Sequence, residues 1–276
     1  MPIEIVAVSY FGSEDLSDFV ASLRAQHFDE WRLTIVDNSV DDQEESTIRR
    51  LEQGDPRVRV LAPKANLGYF GAARLGIEGQ VGDDTLAVIV TNVDIVFGHE
   101  ETLGRIAKAA RECSGDVGVI APRIVSSRSG DDQNPHLLNR PSVVQQRRRM
   151  QRMSSPAVAQ AVILGSAAKR VLTAPLKRHT QAHSNDIYAA HGAFMIFLPE
   201  YFERGGDLSH PIFLFGEELT VAEKSRALGL RTTYRTDLEV RHVEHGQMGF
   251  LRSRRVLTEM VTAAKYGYEL ISRTTG

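Results

Sequence analysis

Asn92 and Asp94 stand two positions apart at the end of an uncharged run, T-L-A-V-I-V-T over 85–91. In extended backbone, residues two apart project to the same side, so an amide oxygen and a carboxylate are expected to face one spot. Hard oxygen ligands of this kind suit Mg²⁺ or Mn²⁺ carried in with a diphosphate. The same pair could simply end a strand and open a turn. Other chemistry-bearing residues are Asp37, before Asn38-Ser39, and the acid pair Glu217-Glu218, after Gly216. To these are added His191-Gly192, His242, and the turn Asn66-Leu67-Gly68 with Gly71 close behind. Asp37 could accept a hydrogen bond from a ligand or cap a helix. The acid pair sits where a helix dipole alone would favour it.

The elements that must position these groups alternate. Apolar runs predict strands over 3–10, 32–36, 58–61, 85–93 and 117–121. Between them, Ser13-Glu14-Asp15 offers a helix N-cap with acids in its first turn, followed by Leu16, Phe19, Val20 and Leu23 at helical spacing. Helices are also expected over 44–53, 66–79 (after a Gly-rich turn) and 101–113. Strands alternating with helices predict an α/β fold with a mostly parallel sheet and right-handed crossovers. Ligands then bind outside the carboxyl ends of the strands, which is where Asp37, Asn92 and Asp94 fall. The first strand-to-helix turn reads S-Y-F-G-S, neither a G-x-G-x-x-G nor a P-loop. Backbone amides there would not cradle phosphates, which favours the metal reading of Asn92 and Asp94.

Beyond residue 125 the pattern changes. Residues 126–185 are polar, with Arg147-Arg148-Arg149, then an apolar stretch over 158–171, then Lys169, Arg170, Lys177, Arg178 and His179. They read as a solvated helical insertion or as a basic amphipathic element at a membrane surface. Residues 187–198 and 211–215 are strand-like, a helix runs from Glu217-Glu218 through Ala227 to a stop at Gly229, and 232–234 and 238–240 are short strands before His242. A basic amphipathic helix is expected over 250–272. The organisation is thus 1–125, 126–185, 186–249 and 250–276, all within one α/β domain.

Composition sets the bounds. The 276 residues are 42% hydrophobic and 25% charged, ordinary for a globular protein. A formal charge of −2 and a pI near 6.5 argue against a nucleic-acid partner. One cysteine, Cys113, excludes a disulfide framework and fits a reducing compartment. The start M-P-I-E-I-V-A-V lacks a basic n-region, and no apolar run approaches the ~20 residues of a membrane helix. A cytoplasmic protein is expected, with contact to the inner membrane face and homo-oligomerisation left open.

Taken together, V-S-Y at 8–10, V-D-N-S at 36–39, N-L-G-Y-F-G-A-A-R-L-G-I at 66–77, T-N-V-D at 91–94, H-G-A-F-M at 191–195, F-G-E-E at 215–218 with Gly229, and V-R-H at 240–242 carry a resemblance. Over roughly residues 3–249 the chain resembles the family 2 inverting glycosyltransferases of the GT-A (Rossmann-like) fold. It is nearest to the rhamnosyltransferase-like members that build bacterial surface polysaccharides. The resemblance implies a UDP- or dTDP-linked sugar donor and a glycan or lipid-linked glycan acceptor. It implies that Ser9, Tyr10, Asp37, Asn66, Gly68, Gly71 and Asn92 bind the nucleotide, with Asp37 accepting from the pyrimidine imide and the glycines letting backbone approach the ligand. It further implies that Asp94, Asn92 and His242 hold Mg²⁺ or Mn²⁺, and that His191 and Gly192 lie on the acceptor side. The general base would be Glu218, with Glu217 the alternative, because Glu218 stands where the family usually has Asp. Thr220 and Lys224 likewise replace a common Asp and Arg. Two other readings are a non-catalytic nucleotide-sugar-binding protein and a nucleotidyltransferase, the latter disfavoured by a first turn without Lys or Arg.

Overall fold

The computed structural model describes residues 1–173, 186–244 and 252–274, with backbone alone over 166–173. The first half alternates as the pattern predicts: β1 (Ile3–Ser9), α1 (Ser13–Arg24), β2 (Trp31–Asp37), α2 (Asp42–Arg49), β3 (Val58–Leu61), α3 (Tyr69–Ile77), β4 (Ala87–Asn92), β5 (Ile95–Val96), α4 (Thr102–Glu112) and β6 (Val117–Ser126). There follow α5 (Val143–Arg152), α6 (Pro156–Thr173), β7 (Asp186–Ile187), β8 (Phe194–Phe197), α7 (Pro199–Glu203), α8 (Glu217–Ala227), β9 (Arg231–His242) and α9 (Arg254–Arg273). The expected residues Lys177, Arg178, His179 and Phe250 lie outside the described residues.

The strands form one sheet in the order β3-β2-β1-β4-β8-β6-β9-β5, with β7 beside β9. The β3-β2-β1-β4 portion is parallel, and its strands read as continuous apolar runs because helices cover both faces. On one face Ile5, Ile35 and Ile89 pack with Phe19 of α1 and Ile106 of α4. On the other, Val88 and Val90 pack with Phe70 of α3, Tyr201 of α7 and Val221 of α8. Burying a side chain of this size stabilises by roughly 1.5–3 kcal/mol, so these rows set which face each strand turns to which helix.

Strand direction then gathers the site. β8 runs antiparallel between β4 and β6, while β6 and β9 are parallel to one another. The carboxyl ends of β1, β2, β4, β6 and β9 therefore share one edge with the start of β8. Register aligns them closely: Ser9 lies opposite Asp37, Val8 opposite Asn92, Thr91 opposite Phe194, and Ser126 opposite His242. β5 returns antiparallel on β9 and sets Ile95 opposite His242.

Several local expectations change. Ser13 does not cap α1; Gly12 precedes the helix, and the Ser13 amide and hydroxyl instead meet the Glu44 carboxylate at 2.9 and 3.0 Å. The predicted strand 187–198 is split into β7 and β8 by the turn that carries His191 and Gly192, and Pro199 opens α7. Residues 211–215 form no strand: Phe215 has φ +69, which extended pairing does not permit. The segments 232–234 and 238–240 belong to one strand. The polar residues between them lie where β9 shifts register against Pro122 and Arg123 of β6. The apolar face of α9 (Leu257, Ala263, Ala264, Ile271) is buried, and α9 packs on α5, α6 and α8. That face is therefore not available to a membrane. The cations Arg147, Arg148, Arg149 and Arg152 of α5 are exposed, as are the apolar residues Val144 of α5 and Val158 of α6.

Candidate functional site

At the donor end, Asp37 closes β2 and is 2% exposed. Its Oδ1 accepts from the Ser39 amide at 3.0 Å, and burial pushes its carboxyl up from the ordinary value. It does not cap α2; Asp41 does, accepting from the Gln43 and Glu44 amides. Its neighbour Asn38, to which sequence reasoning gave no role, fastens the donor turn. Asn38 Nδ2 donates to the Gly68 carbonyl at 2.9 Å and its Oδ1 accepts from the Leu67 amide at 3.0 Å. Asn66 Oδ1 in turn accepts from the Gly68 amide at 2.9 Å. Gly68 adopts φ +73 and ψ 177, a region essentially restricted to glycine. The close approach its missing Cβ permits is to the Phe213 carbonyl, 2.2 Å from where that Cβ would stand, rather than to open space for a ligand. At Gly71 the nearest neighbour of a Cβ is Leu67 of the same turn. The Ser9 hydroxyl is wholly buried, without a hydrogen-bond partner among the described residues, and its carbonyl receives the Asn38 amide at 2.8 Å. Tyr10 is half exposed and packs edge-on against the exposed Phe11 at 4.9 Å.

Asn92 ends β4, but Val93 and Asp94 form a turn before β5. The extended spacing expected to align Asn92 with Asp94 is thus interrupted, and among the described residues no hydrogen bond joins the Asn92 amide to Asp94 or His242. The partner of Asp94 is His242: Nε2 lies 3.0 Å from Asp94 Oδ2, while Nδ1 lies 2.8 Å from Gln133 Oε1. Backbone pins both residues, since the Val243 amide donates to the Asp94 carbonyl (2.8 Å) and the Ser127 amide to the His242 carbonyl (2.9 Å). A carboxylate and an imidazole converging on one point fit a divalent ion. Among the described residues no group of three His, Cys, Asp or Glu could hold one unaided. Water and diphosphate oxygens would complete the set, the usual arrangement for such ions at phosphates.

The acid pair divides. Glu217 is 5% exposed, and its Oε1 accepts from the Phe215 amide at 3.1 Å. Burial, reinforced by the neighbouring Glu218 charge, pushes its carboxyl up to about 8. Glu218 is half-buried, and its Oε1 lies 3.0 Å from where a Cβ on Gly192 would stand. Gly192 leaves room for the Glu218 carboxylate and gives its carbonyl to the Tyr69 hydroxyl at 2.8 Å. Burial raises the Tyr69 phenol far above its ordinary value, and the charges of Glu217, Glu218 and Asp94 add to the effect. Gly192 thus stands between the Glu218 carboxylate and the Tyr69 hydroxyl.

The turn before the pair is strained. Phe215 and Gly216 have φ +69 and +92. His210 holds the turn, with Nε2 3.1 Å from the Phe215 carbonyl and Nδ1 2.8 Å from Thr220 Oγ1, which also meets the Tyr266 hydroxyl of α9 at 2.7 Å. His191 Nδ1 accepts from the Ala193 amide at 3.1 Å, leaving the ring proton on Nε2. Burial pushes this ring down to about 4, so it is a neutral donor beside Glu218 and His242. Its ring lies 6.2 Å from that of His242.

The structure thus brings together Asp94, His242, Glu217, Glu218, His191 and Gly192, and holds Asp37, Asn66 and Gly68 at the neighbouring strand ends. Tyr69 and Asn38 sat inside motifs already noted. Gln133 and His210 carried no local signal, since each lies in an irregular segment with no spacing to read.

This fold and this edge are those of a sugar-transferring enzyme class. The chain belongs to glycosyl transferase family 2, whose family model matches residues 4–172. No curated protein sequence matches it. Among solved structures, the mannosyltransferase PcManGT from Pyrobaculum calidifontis, in complex with GDP-Man and Mn²⁺, is 12% identical with a TM-score of 0.58, over 99% of this chain and 73% of that one. TarS 1-349 from S. aureus, in complex with UDP-GlcNAc, is 10% identical with a TM-score of 0.58, over 100% of this chain and 72% of that one. At these identities the likeness is one of fold: a mixed α/β, GT-A-type architecture. Among the described residues no helix is long and apolar enough to cross a membrane.

Proposed function

We propose that this protein transfers a sugar from a nucleoside-diphosphate sugar to a hydroxyl of a glycan or lipid-linked glycan, inverting the anomeric carbon, in the manner of the rhamnosyltransferase-like enzymes of bacterial surface polysaccharide synthesis. The observation that carries this reading is a chain of contacts: Glu218 stands against Gly192, and the ring of the adjacent His191 lies 6.2 Å from that of His242, the partner of Asp94, which puts a proton acceptor and a cation-binding acid in one cleft. Glu218 is the general base, taking the proton of the attacking hydroxyl. Glu217 is unsuited to that task because burial keeps it largely protonated at neutral pH, where it serves as the acceptor for the Phe215 amide. Full burial of one acid and only partial burial of the other leaves a single carboxylate for the reacting face. That arrangement supports direct displacement over the paired carboxylates of a glycoside hydrolase.

Asp94 and His242, with Asn92 beside them, would hold Mn²⁺ or Mg²⁺, and the imidazole weighs toward the transition ion. When bound, such a cation neutralises charge developing on the departing diphosphate. The neutral Nε2–H of His191 donates to an acceptor oxygen, and the gap at Gly192 keeps that oxygen near Glu218. Asp37 receives the imide N–H of a pyrimidine, which favours UDP- or dTDP-linked donors. A homo-oligomer and peripheral contact with the inner membrane face belong to the same reading, the exposed arginines of α5 being the basic element. The test pairs two measurements. A panel of UDP-, dTDP- and GDP-sugars with Mn²⁺ should show one donor that raises the melting temperature, since a ligand that binds only the folded state stabilises it. With that donor, Glu218→Gln should keep the thermal shift yet lower turnover by about 10²–10⁴-fold. Wild-type turnover in Glu218→Gln would remove Glu218 as base, and the absence of any stabilising donor would remove the transferase reading.

A further inference from the structure

We propose that Gln133 is a positioning residue for the cation site, locking His242 in the tautomer whose Nε2 lone pair points at Asp94. The inference rests on the reading of Asp94 and His242 given above. Gln133 lies in an irregular segment fastened to the sheet. Its own amide donates to the Ile124 carbonyl at 2.8 Å, and the adjacent Asp132 carboxylate accepts from the Ile124 amide at 3.2 Å and from the Asn134 amide at 3.0 Å. The Tyr234 hydroxyl of β9 donates to the other oxygen of Asp132. Backbone and neighbour thus fix where the Gln133 side chain starts.

The orientation of the Gln133 amide follows from its two partners. Nε2 lies 3.0 Å from Glu244 Oε1, and an ionised carboxylate only accepts, so this end must be the NH₂. Glu244 is itself held by the Ser126 hydroxyl through its other oxygen. The remaining end, Oε1, is therefore the atom 2.8 Å from His242 Nδ1. A carbonyl oxygen also only accepts, so Nδ1 carries a hydrogen. The neutral ring then has its lone pair on Nε2, which faces Asp94 Oδ2 at 3.0 Å. Two acceptors at that separation need a proton or a cation between them, and Gln133 keeps Nδ1–H in either case. A metal-binding histidine held through its other ring N–H is oriented and made a better ligand, and losing that partner typically costs 10–100-fold in metal affinity.

The experiment measures Mn²⁺ binding by electron paramagnetic resonance with UDP, dTDP and GDP in turn, together with the ¹⁵N resonances of the His242 ring. In the wild type, Nδ1 should be protonated. Gln133→Met, which keeps the volume and removes the acceptor, should weaken Mn²⁺ binding by about 10–100-fold. The exchange Gln133→Glu with Glu244→Gln, which keeps an acceptor for Nδ1 and reverses the bond between the two side chains without facing carboxylates, should retain most of the affinity. In a His242→Ala background Gln133→Met should change nothing further, whereas a role apart from His242 would add its full loss. An unprotonated Nδ1 in the wild type, wild-type affinity in Gln133→Met, or an undiminished effect in His242→Ala would each overturn the proposal. If Gln133→Met does not fold, the ring resonances and the Gln133→Glu, Glu244→Gln exchange decide. Loss of Mn²⁺ binding in Asp94→Ala, with none in Gln133→Met, would sink this inference and leave the site reading standing. Wild-type binding in Asp94→Ala, or no Mn²⁺ binding with any nucleotide, would remove the site reading itself.

Discussion

Adding one methyl group at Gly192 separates positioning from folding. Its φ does not lie in the left-handed region, and the nearest atoms to a built Cβ are Glu218 Oε1 at 3.0 Å and Glu218 Cδ at 3.5 Å. No backbone atom stands in the way, so Gly192→Ala should fold, and removing a glycine lowers the entropy of the unfolded chain by about 0.4–1 kcal/mol in its favour. The Glu218 carboxylate, however, must yield by a few tenths of an ångström. A misplacement of about 1 Å at a reacting group can cost 10²-fold. On the same logarithmic scale a few tenths should cost about two- to sixfold in turnover. The assay is steady-state transfer at saturating donor, beside the melting temperature, for Gly192→Ala, Glu218→Gln and the double variant. The expected pattern is reduced turnover with an unchanged or higher melting temperature in Gly192→Ala, and no further loss on adding it to Glu218→Gln. Full turnover in Gly192→Ala, or a loss undiminished in the Glu218→Gln background, would refute the view that Gly192 acts by making room for Glu218.

Other outcomes follow from the same geometry. Because the Glu217 pKa is raised to about 8 in the folded state, the folded protein holds a proton that the unfolded chain releases; the Glu217 contribution to stability should be greatest below the ordinary value of 4.5, decline as pH rises to about 8, and level off above it. Glu217→Gln keeps an acceptor for the Phe215 amide and should flatten that decline, as urea titrations across the range would show. Gly68→Ala forces a side chain into a glycine-only conformation, costing roughly 1–3 kcal/mol, and drives its Cβ against the Phe213 carbonyl; a melting temperature equal to wild type would contradict this. Asp37→Ala should weaken nucleoside diphosphate and full donor alike in calorimetry, since it is placed to meet only the base. The α5 arginines should give salt-sensitive binding to anionic vesicles, each worth about 1 kcal/mol near the surface, and equal binding to neutral vesicles would count against them.

The strand–helix alternation of the first half, the apolar rows that fix β1, β2 and β4, and the placement of Asp37 and Asn92 at strand ends were legible in the linear pattern, because periodicity and burial on both faces are local properties of a parallel sheet. The motifs around Gly68, His191, Glu217 and His242 were likewise visible as residue types in order. What required the folded chain was every relation between distant segments. β8 enters antiparallel, so His191 and Gly192 arrive beside Asn92, about a hundred positions away in the chain and in no repeating pattern. The choice between Glu217 and Glu218 turns on which carboxylate α8 buries, and two adjacent identical residues carry no information about that. Gly68 is required by the Phe213 carbonyl, and Asp94 meets His242 because β5 folds back on β9. Gln133 shows the limit most clearly: a lone glutamine in an irregular segment has no spacing to read, and only the sheet that sets Ser126 opposite His242 brings it to the ring it orients.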